Sequence, residues 1–286
     1  MNDLPTLLTI RNLTKQFGGI TALKNINFTI KKGAITALIG PNGAGKTTLF
    51  NCLTGFYYSE GELLLHLPNK IINIPLLLGG PLQVYFLKNP RRFLSYLYYK
   101  MFGGAHLVAR SGIARTFQNI RLFKEMTVIE NLLIAQHLSS HHNLIAGLLN
   151  TPSFKQCERN AIENAYHWLK KFNLEKQANQ LAGELAYGQQ RLLEIARCMC
   201  IRPILLCLDE PAAGLNPMET QTLSHVISEL QQEYHLTIIL IEHDMSLVMK
   251  ISNHVIVLDQ GEMISSGTPE QVRQDPRVIA AYLGTE

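Results

Sequence analysis

An α/β fold with a strand-rich N-terminal part and a helical insertion follows from three observations. The runs ILLCL (Ile204–Leu208) and TIILI (Thr237–Ile241) are uninterruptedly apolar, as expected of strands covered on both faces of a parallel sheet. KNINFTIKKG places Ile26, Phe28 and Ile30 on one face and turns at Lys32-Gly33, so it predicts a strand buried on one side only. FKQCERNAIENAYHWLKKF (Phe154–Phe172) is the clearest of the helical patterns that dominate from Val128 to Arg202.

The remaining elements fit between these. AITALI (Ala34–Ile39) is a short apolar strand running into glycines, and Lys46–Leu53 has helical character. Residues from about 56 to 110 read as irregular and aromatic-rich. HVIVLDQGEMISSG predicts a hairpin turning at Gln260-Gly261. Trp168 and Phe172, one helical turn apart, are expected in the core. No internal repeat or low-complexity tail interrupts the chain, and 286 residues suit one domain with an elaborated subdomain.

Composition excludes several classes. A net charge of +4 is too small to argue for nucleic acid. The basicity is local: Leu63–Lys124 holds nine Lys and Arg and no Asp or Glu. The five cysteines form no paired CxxC spacing, and Cys198, Cys200 and Cys207 fall in apolar patterns, so they read as buried reduced thiols of a cytosolic protein. MNDLPTLLTIRNLTKQF lacks the basic and apolar regions of a secretory leader. The nearest approach to a membrane span, the uncharged Ile71–Leu87, is broken by Pro75, Gly79, Gly80 and Pro81, so no membrane span is expected. The pair His141-His142 lacks partners at ligand spacing and reads as a solvated turn.

Chemistry enters at GPNGAGKT. Gly40, Pro41, Asn42, Gly43, Ala44, Gly45, Lys46 and Thr47 satisfy G-x-x-x-x-G-K-[ST] between a strand and a helix, the context this phosphate-cradling loop requires. The glycines let backbone N–H groups converge on phosphate oxygens, and the helix start adds its positive dipole end. Lys46 is expected to neutralise β/γ-phosphate charge, and Thr47 to offer a hydroxyl to Mg²⁺. Thr48 continues the loop into the helix. The architecture is therefore a nucleotide-binding one.

Two carboxylates, Asp209 and Glu210, follow the strand ILLCL, and ligands of parallel sheets gather at such strand ends. Asp209 suits Mg²⁺ coordination through water, and Glu210 suits a base that polarises the attacking water. His243, just past TIILI, is a third candidate for the γ-phosphate region. A second anion-binding device is expected at LAYGQQRLLEIAR: Gly188 reads as an exposed glycine starting an amphipathic helix whose inner stripe is Leu192, Ile195, Ala196 and Met199.

Taken together these motifs resemble the ATP-binding cassette (ABC) family, across nearly the whole chain and in the family's order. GPNGAGKTT is similar to its Walker A loop and ILLCLDEP to its Walker B strand. LAYGQ (Leu185, Ala186, Tyr187, Gly188, Gln189) resembles the LSGGQ signature, AAGLN the D-loop, IEHD the switch-histidine strand and RTFQ the Q-loop. The resemblance implies a P-loop NTPase core with an N-terminal antiparallel β-subdomain, and a helical subdomain over about 116–200. It implies ATP and Mg²⁺ as cofactors, with Thr47, Asp209 and Gln118 on the metal and Gln118 linking the metal to the membrane subunits. Phe17 falls where the family stacks an aromatic on adenine, although the residue suits a core phenylalanine almost as well. Leu185–Gln189 is expected to complete the nucleotide site of a second cassette facing head to tail.

Longer matches, among them GIARTFQNIRLFKEMTVIENLLIAQH and GTPEQVRQDPRVIAAYLG, resemble the LivG-type cassettes of branched-chain amino-acid importers. That resemblance implies a peripheral subunit on the cytoplasmic face of the bacterial inner membrane. Its partners are a LivF-like cassette or a second copy of itself, two permease subunits and, indirectly, a periplasmic binding protein. Nucleic acid is not an expected partner. Exporter cassettes for lipid or polysaccharide, and soluble cassettes of translation or DNA repair, are the neighbouring alternatives. Ala186 stands where the family's signature has serine, and Asn216 where its D-loop has aspartate. Residues 69–104 depart most, interleaving aromatics with Lys88, Arg91, Arg92 and Lys100. This insert reads either as a bulge packed on the core or as a hairpin touching the bilayer or permease.

Overall fold

The N-terminal alternation forms two long strands, β1 (Thr6–Phe17) and β2 (Ile20–Lys31), paired antiparallel from Thr6↔Lys31 to Phe17↔Ile20. Leu23, Ile26 and Ile30 are buried while Lys24, Asn25 and Asn27 are exposed, so one face of the ribbon supplies core. In this computed structural model, residues 4–79, 101, 103–136 and 151–283 are described. The segment read as irregular from about 56 is instead ordered at its start. β4 (Glu60–Leu67) pairs with β1, and β5 (Lys70–Asn73) pairs with β4, giving a sheet ordered β2-β1-β4-β5. The missed signal is the period of two that buries Leu63 and Leu65 completely. Only residues 69–79, 101 and 103–104 of the expected insert are described, so its basic-aromatic part lies outside the described residues, as does His141-His142.

The second sheet carries the chemistry. It contains β3 (Ile35–Ile39), β6 (Ile113–Arg115), β7 (Leu205–Asp209), β8 (Thr237–Ile241), β9 (His254–Asp259) and β10 (Glu262–Gly267), ordered β10-β9-β3-β8-β7-β6. Every pairing is parallel except the β9–β10 hairpin, which turns at Gln260-Gly261 as expected, with both residues at positive φ (44° and 79°). β3, β7 and β8 are buried at all five positions each, the physical counterpart of their unbroken apolar runs. Because β3, β8 and β7 are neighbours, their carboxyl ends bring residues after 39, 209 and 241 to one edge.

Helices cover this sheet. α1 (Lys46–Leu53) follows β3; the short α2 (Ile74–Leu77) and α3 (Ala105–Arg110) precede β6. α4 (Val128–Gln136), α5 (Pro152–Lys171) and α6 (Tyr187–Met199) form the helical part. α7 (Pro217–Tyr234), α8 (Met245–Ile251), α9 (Pro269–Arg273) and α10 (Pro276–Leu283) complete the chain. Trp168 and Phe172 are core residues, packed in one cluster with Leu169, Ile195 and Leu206. That cluster ties α5 and α6 to the sheet.

Candidate functional site

Sterics dictate the loop after β3. A Cβ at Gly40 (φ 147°) would stand 2.0 Å from the Leu258 carbonyl oxygen, and one at Gly45 (φ 99°) 2.7 Å from that of Ala22. Only glycine lets the backbone approach so closely. α1 then begins at Lys46 with neither a side-chain cap nor an acidic residue in its first turn, leaving its first N–H groups to face an outside acceptor. Lys46 is 6% exposed, and its Nζ donates to the Gly40 and Pro41 carbonyl oxygens at 2.7 and 2.9 Å. Burial lowers its pKa, opposed by the Glu210 charge. A buried ammonium held only by neutral carbonyls, above an uncapped helix start, fits a phosphate chain. The adjoining cavity of about 210 Å³ is bordered by Asn42, Gly43, Lys46, Thr47, Glu210 and His243. Ala44 is buried beneath the loop, and Thr48 also borders the cavity.

Glu210 occupies the centre of the acidic edge. Its Oε2 accepts from Gln118 Nε2 at 2.7 Å, and its Oε1 lies 2.8 Å from His243 Nε2. Its backbone is left-handed (φ 47°), uncommon for a side chain of this size and typical of functional positions. Buried Glu242 fixes this edge by accepting from Ala212 N at 2.7 Å and His243 N at 3.1 Å, tying the ends of β7 and β8 together. Burial raises the Glu242 pKa. Asp209 is 3% exposed and meets the Arg115 guanidinium at 2.6 Å. Arg115 also donates to Asn51 Oδ1 at 2.6 Å and Thr54 Oγ1 at 3.0 Å, so it bolts β6 and β7 to the far end of α1. Sequence reasoning missed Arg115, since nothing in its spacing announces a partner 94 positions away.

The Mg²⁺ donors expected from the sequence are one carboxylate (Asp209, whose Oδ2 is already held by Arg115), one hydroxyl (Thr47) and one amide oxygen (Gln118). Among the described residues no cluster of three or more His, Cys, Asp or Glu could hold a metal unaided. Such a sparse set fits an ion that arrives with phosphate oxygens and keeps waters, as Mg²⁺ does.

One alternative falls away and one expectation changes. Phe17 is not a core residue: it is 42% exposed, edge-on to Tyr57 at 5.2 Å, with Lys15 Nζ 4.8 Å above its ring. Gly188 is not exposed: it is buried, and a Cβ there would come within 2.6 Å of Glu219 Oε1. The cause is the capping box of α7, in which Glu219 reaches back to the Asn216 N–H and covers the glycine. The inner stripe of α6 also shifts: Leu193 is fully buried where Leu192 is only partly so, and Arg191 and Glu194 are buried beside it. Ala186 occupies the N-cap position of this helix without a side-chain cap, with Leu185 buried and Tyr187 exposed. The segment 185–189 does not join the phosphate-loop cavity; Gly188 and Gln189 border a separate one of about 230 Å³ with Met218 and Glu219. The loop 40–48, Glu210 and His243 thus meet at one cavity, with Gln118 joined to them through Glu210 and Asp209 preceding Glu210 at the end of β7, while Gly188 and Gln189 border another.

Comparison with known proteins gives a consistent picture. Residues 23–213 match the family described as ABC transporter, and residues 262–286 that described as branched-chain amino acid ATP-binding cassette transporter. The chain is 49% identical to the high-affinity branched-chain amino acid transport ATP-binding protein BraF of Pseudomonas aeruginosa, over 97% of this chain and 98% of that protein. It is 47% identical to the corresponding LivG of Escherichia coli, with the same coverage. Among solved structures, a nucleotide-free ATP-binding cassette from an ABC transporter superposes with TM-score 0.75 at 29% identity, covering 98% of this chain and all of that one.

Proposed function

The chain belongs to the ABC transporter family, and from that premise we propose that it hydrolyses ATP to energise import of leucine, isoleucine and valine through permease partners. Close full-length likeness to branched-chain amino acid transport ATP-binding proteins supports the cargo class. One observation carries the chemistry: Glu210 stands between Gln118 and His243 at the rim of the cavity that holds Lys46.

In this reading the loop 40–48 binds the triphosphate, with Lys46 against its outer phosphates and Phe17 beside the base. Glu210 accepts the proton of the attacking water, Gln118 and His243 hold that carboxylate in place, and His243 stabilises the γ-phosphate. Thr47, Asp209 and Gln118 would hold Mg²⁺, which neutralises phosphate charge when bound. Since 185–189 borders a different cavity from the loop, the site is completed by the corresponding segment of a second cassette, LivF-like or identical, facing head to tail. ATP bridging the two favours closure, and loss of the γ-phosphate favours opening. Among the described residues no helix is long and apolar enough to cross a membrane. In this reading attachment to the cytoplasmic face of the inner membrane runs through two permease subunits, which a periplasmic binding protein supplies with cargo. Their seat is the groove of about 730 Å³ next to the Q-loop, where Arg110, Arg121 and Arg197 alternate with Phe56, Phe117 and Phe123.

Steady-state turnover of the assembled transporter tests the assignment. Glu210→Gln is expected to lower kcat roughly 100-fold or more while ATP still binds, because only proton acceptance is removed. Equal rates would show that Glu210 is not the base.

A further inference from the structure

Arg191 and Glu194 form an ion pair at 2.9 Å, one turn apart on α6, with both side chains 0% exposed. Stability alone does not explain such a pair, because apolar residues of similar volume usually do as well or better in a core. Its other partners are informative. Arg191 Nη1 donates to the Phe117 carbonyl and Nη2 to the Gln118 carbonyl, each at 2.7 Å. Glu194 Oε1 accepts from the Phe117 and Arg121 amides at 3.4 and 3.3 Å. Every one of these backbone groups lies in the loop 117–121. The grip has a fork geometry that guanidinium supplies and ammonium cannot.

The same loop reaches the catalytic edge from its other side, through Gln118 Nε2 on Glu210 Oε2 at 2.7 Å. At the opposite end, Arg191 Nη2 lies 3.4 Å from the Tyr187 hydroxyl, in the first turn of α6. A continuous line of polar contacts therefore runs from Tyr187 through Arg191 and Gln118 to Glu210. We propose that Arg191 and Glu194 are positioning residues that make the alignment of this cassette's own base depend on how the 185–189 end of α6 is seated. This rests on the reading above, in which 185–189 meets the nucleotide held by the partner cassette. Each cassette then primes its own Glu210 according to whether it is seated on the other's ATP. The two sites are coupled inside each subunit as well as across the interface.

The test replaces the pair by apolar residues, Arg191→Met with Glu194→Leu, in the full chain. Its thermal midpoint is expected to equal or exceed that of the parent. Amide exchange at Phe117 and Arg121 is expected to accelerate roughly tenfold or more as their acceptor disappears. In the assembled transporter kcat should fall by about tenfold or more, with KM for ATP within about twofold. Adding Gln118→Ala should then cost less than the same substitution costs the parent, since part of its effect passes through the shared contact. Arg191→Lys, which keeps the charge and loses the fork, covers the case in which the double variant does not fold, and should show the same split in a milder form. Parent-like kcat, unchanged exchange at both amides, or a Gln118→Ala loss that multiplies in full would each overturn the proposal. A Glu210→Gln protein turning over at the parent rate would instead sink the assignment of the base, while accelerated exchange would still stand as evidence for the grip.

Discussion

Asp209 and Arg115 meet at 2.6 Å with side chains only 5% and 7% exposed. Removing one member of a buried pair strands the other charge, so Arg115→Met is expected to destabilise by about 3 kcal/mol or more, measured by urea unfolding. Arg115→Lys restores charge without the bonds to both Asn51 and Thr54, and should recover only part of that loss. The cysteines report on burial at the same scale. Cys52 is pushed up to about 11 and Cys198, Cys200 and Cys207 to about 12, chiefly by desolvation, whereas Cys157 is exposed. A thiol-specific reagent at pH 8 should consume one equivalent quickly and the other four only after denaturation. The sign for stability follows: these thiols have raised folded pKa values, so their contribution is complete below the unfolded value of about 9 and is lost as pH climbs above it.

Helix ends decide much of what surrounds the site. α7 is opened by a reciprocal capping box: Asn216 Oδ1 accepts from Glu219 N at 3.0 Å, and Glu219 Oε2 accepts from Asn216 N at 3.0 Å. Asn216 thus has a structural task of its own. Asn216→Ala should cost about 1 kcal/mol in thermal or urea unfolding, and Asn216→Asp close to nothing. Glu219 also covers Gly188, so the cap of one helix shields the start of another. For 185–189 to meet a nucleotide on another cassette, Glu219 has to yield, which places the D-loop and the signature segment under one constraint. α1 is the opposite case, a helix start without cap or acid, which suits an acceptor from outside.

At the scale of the molecule, parallel neighbours β3, β8 and β7 gather the loop, Asp209, Glu210 and His243 at one edge, while 185–189 borders another cavity. In the proposed reading, a single cassette therefore offers two half-sites rather than one whole site. With ATP and Mg²⁺, the Glu210→Gln form together with its cognate subunits should elute as a closed cassette pair; persistence as separate cassettes under these conditions would contradict the head-to-tail arrangement. Most of this edge was legible in the sequence. The loop 40–47 is defined by local spacing, and the carboxylates by an apolar run that ends abruptly, so both are written within a few residues of chain. β4 and β5 were also legible in principle, through Leu63 and Leu65, but the aromatic-rich context masked a short period-two signal. Arg115 on Asp209, the Arg191–Glu194 grip on residues 117–121 and the burial of Gly188 by Glu219 were not. Each joins residues that only sheet order and helix packing bring within hydrogen-bond range, and what each is worth depends on burial, which no stretch of sequence displays. What the amino-acid order determined by itself was therefore the inventory of phosphate-binding and acidic groups and the strands that end at them. Tertiary structure alone decided which of those groups hold one another, because burial and distance are properties of the packed chain.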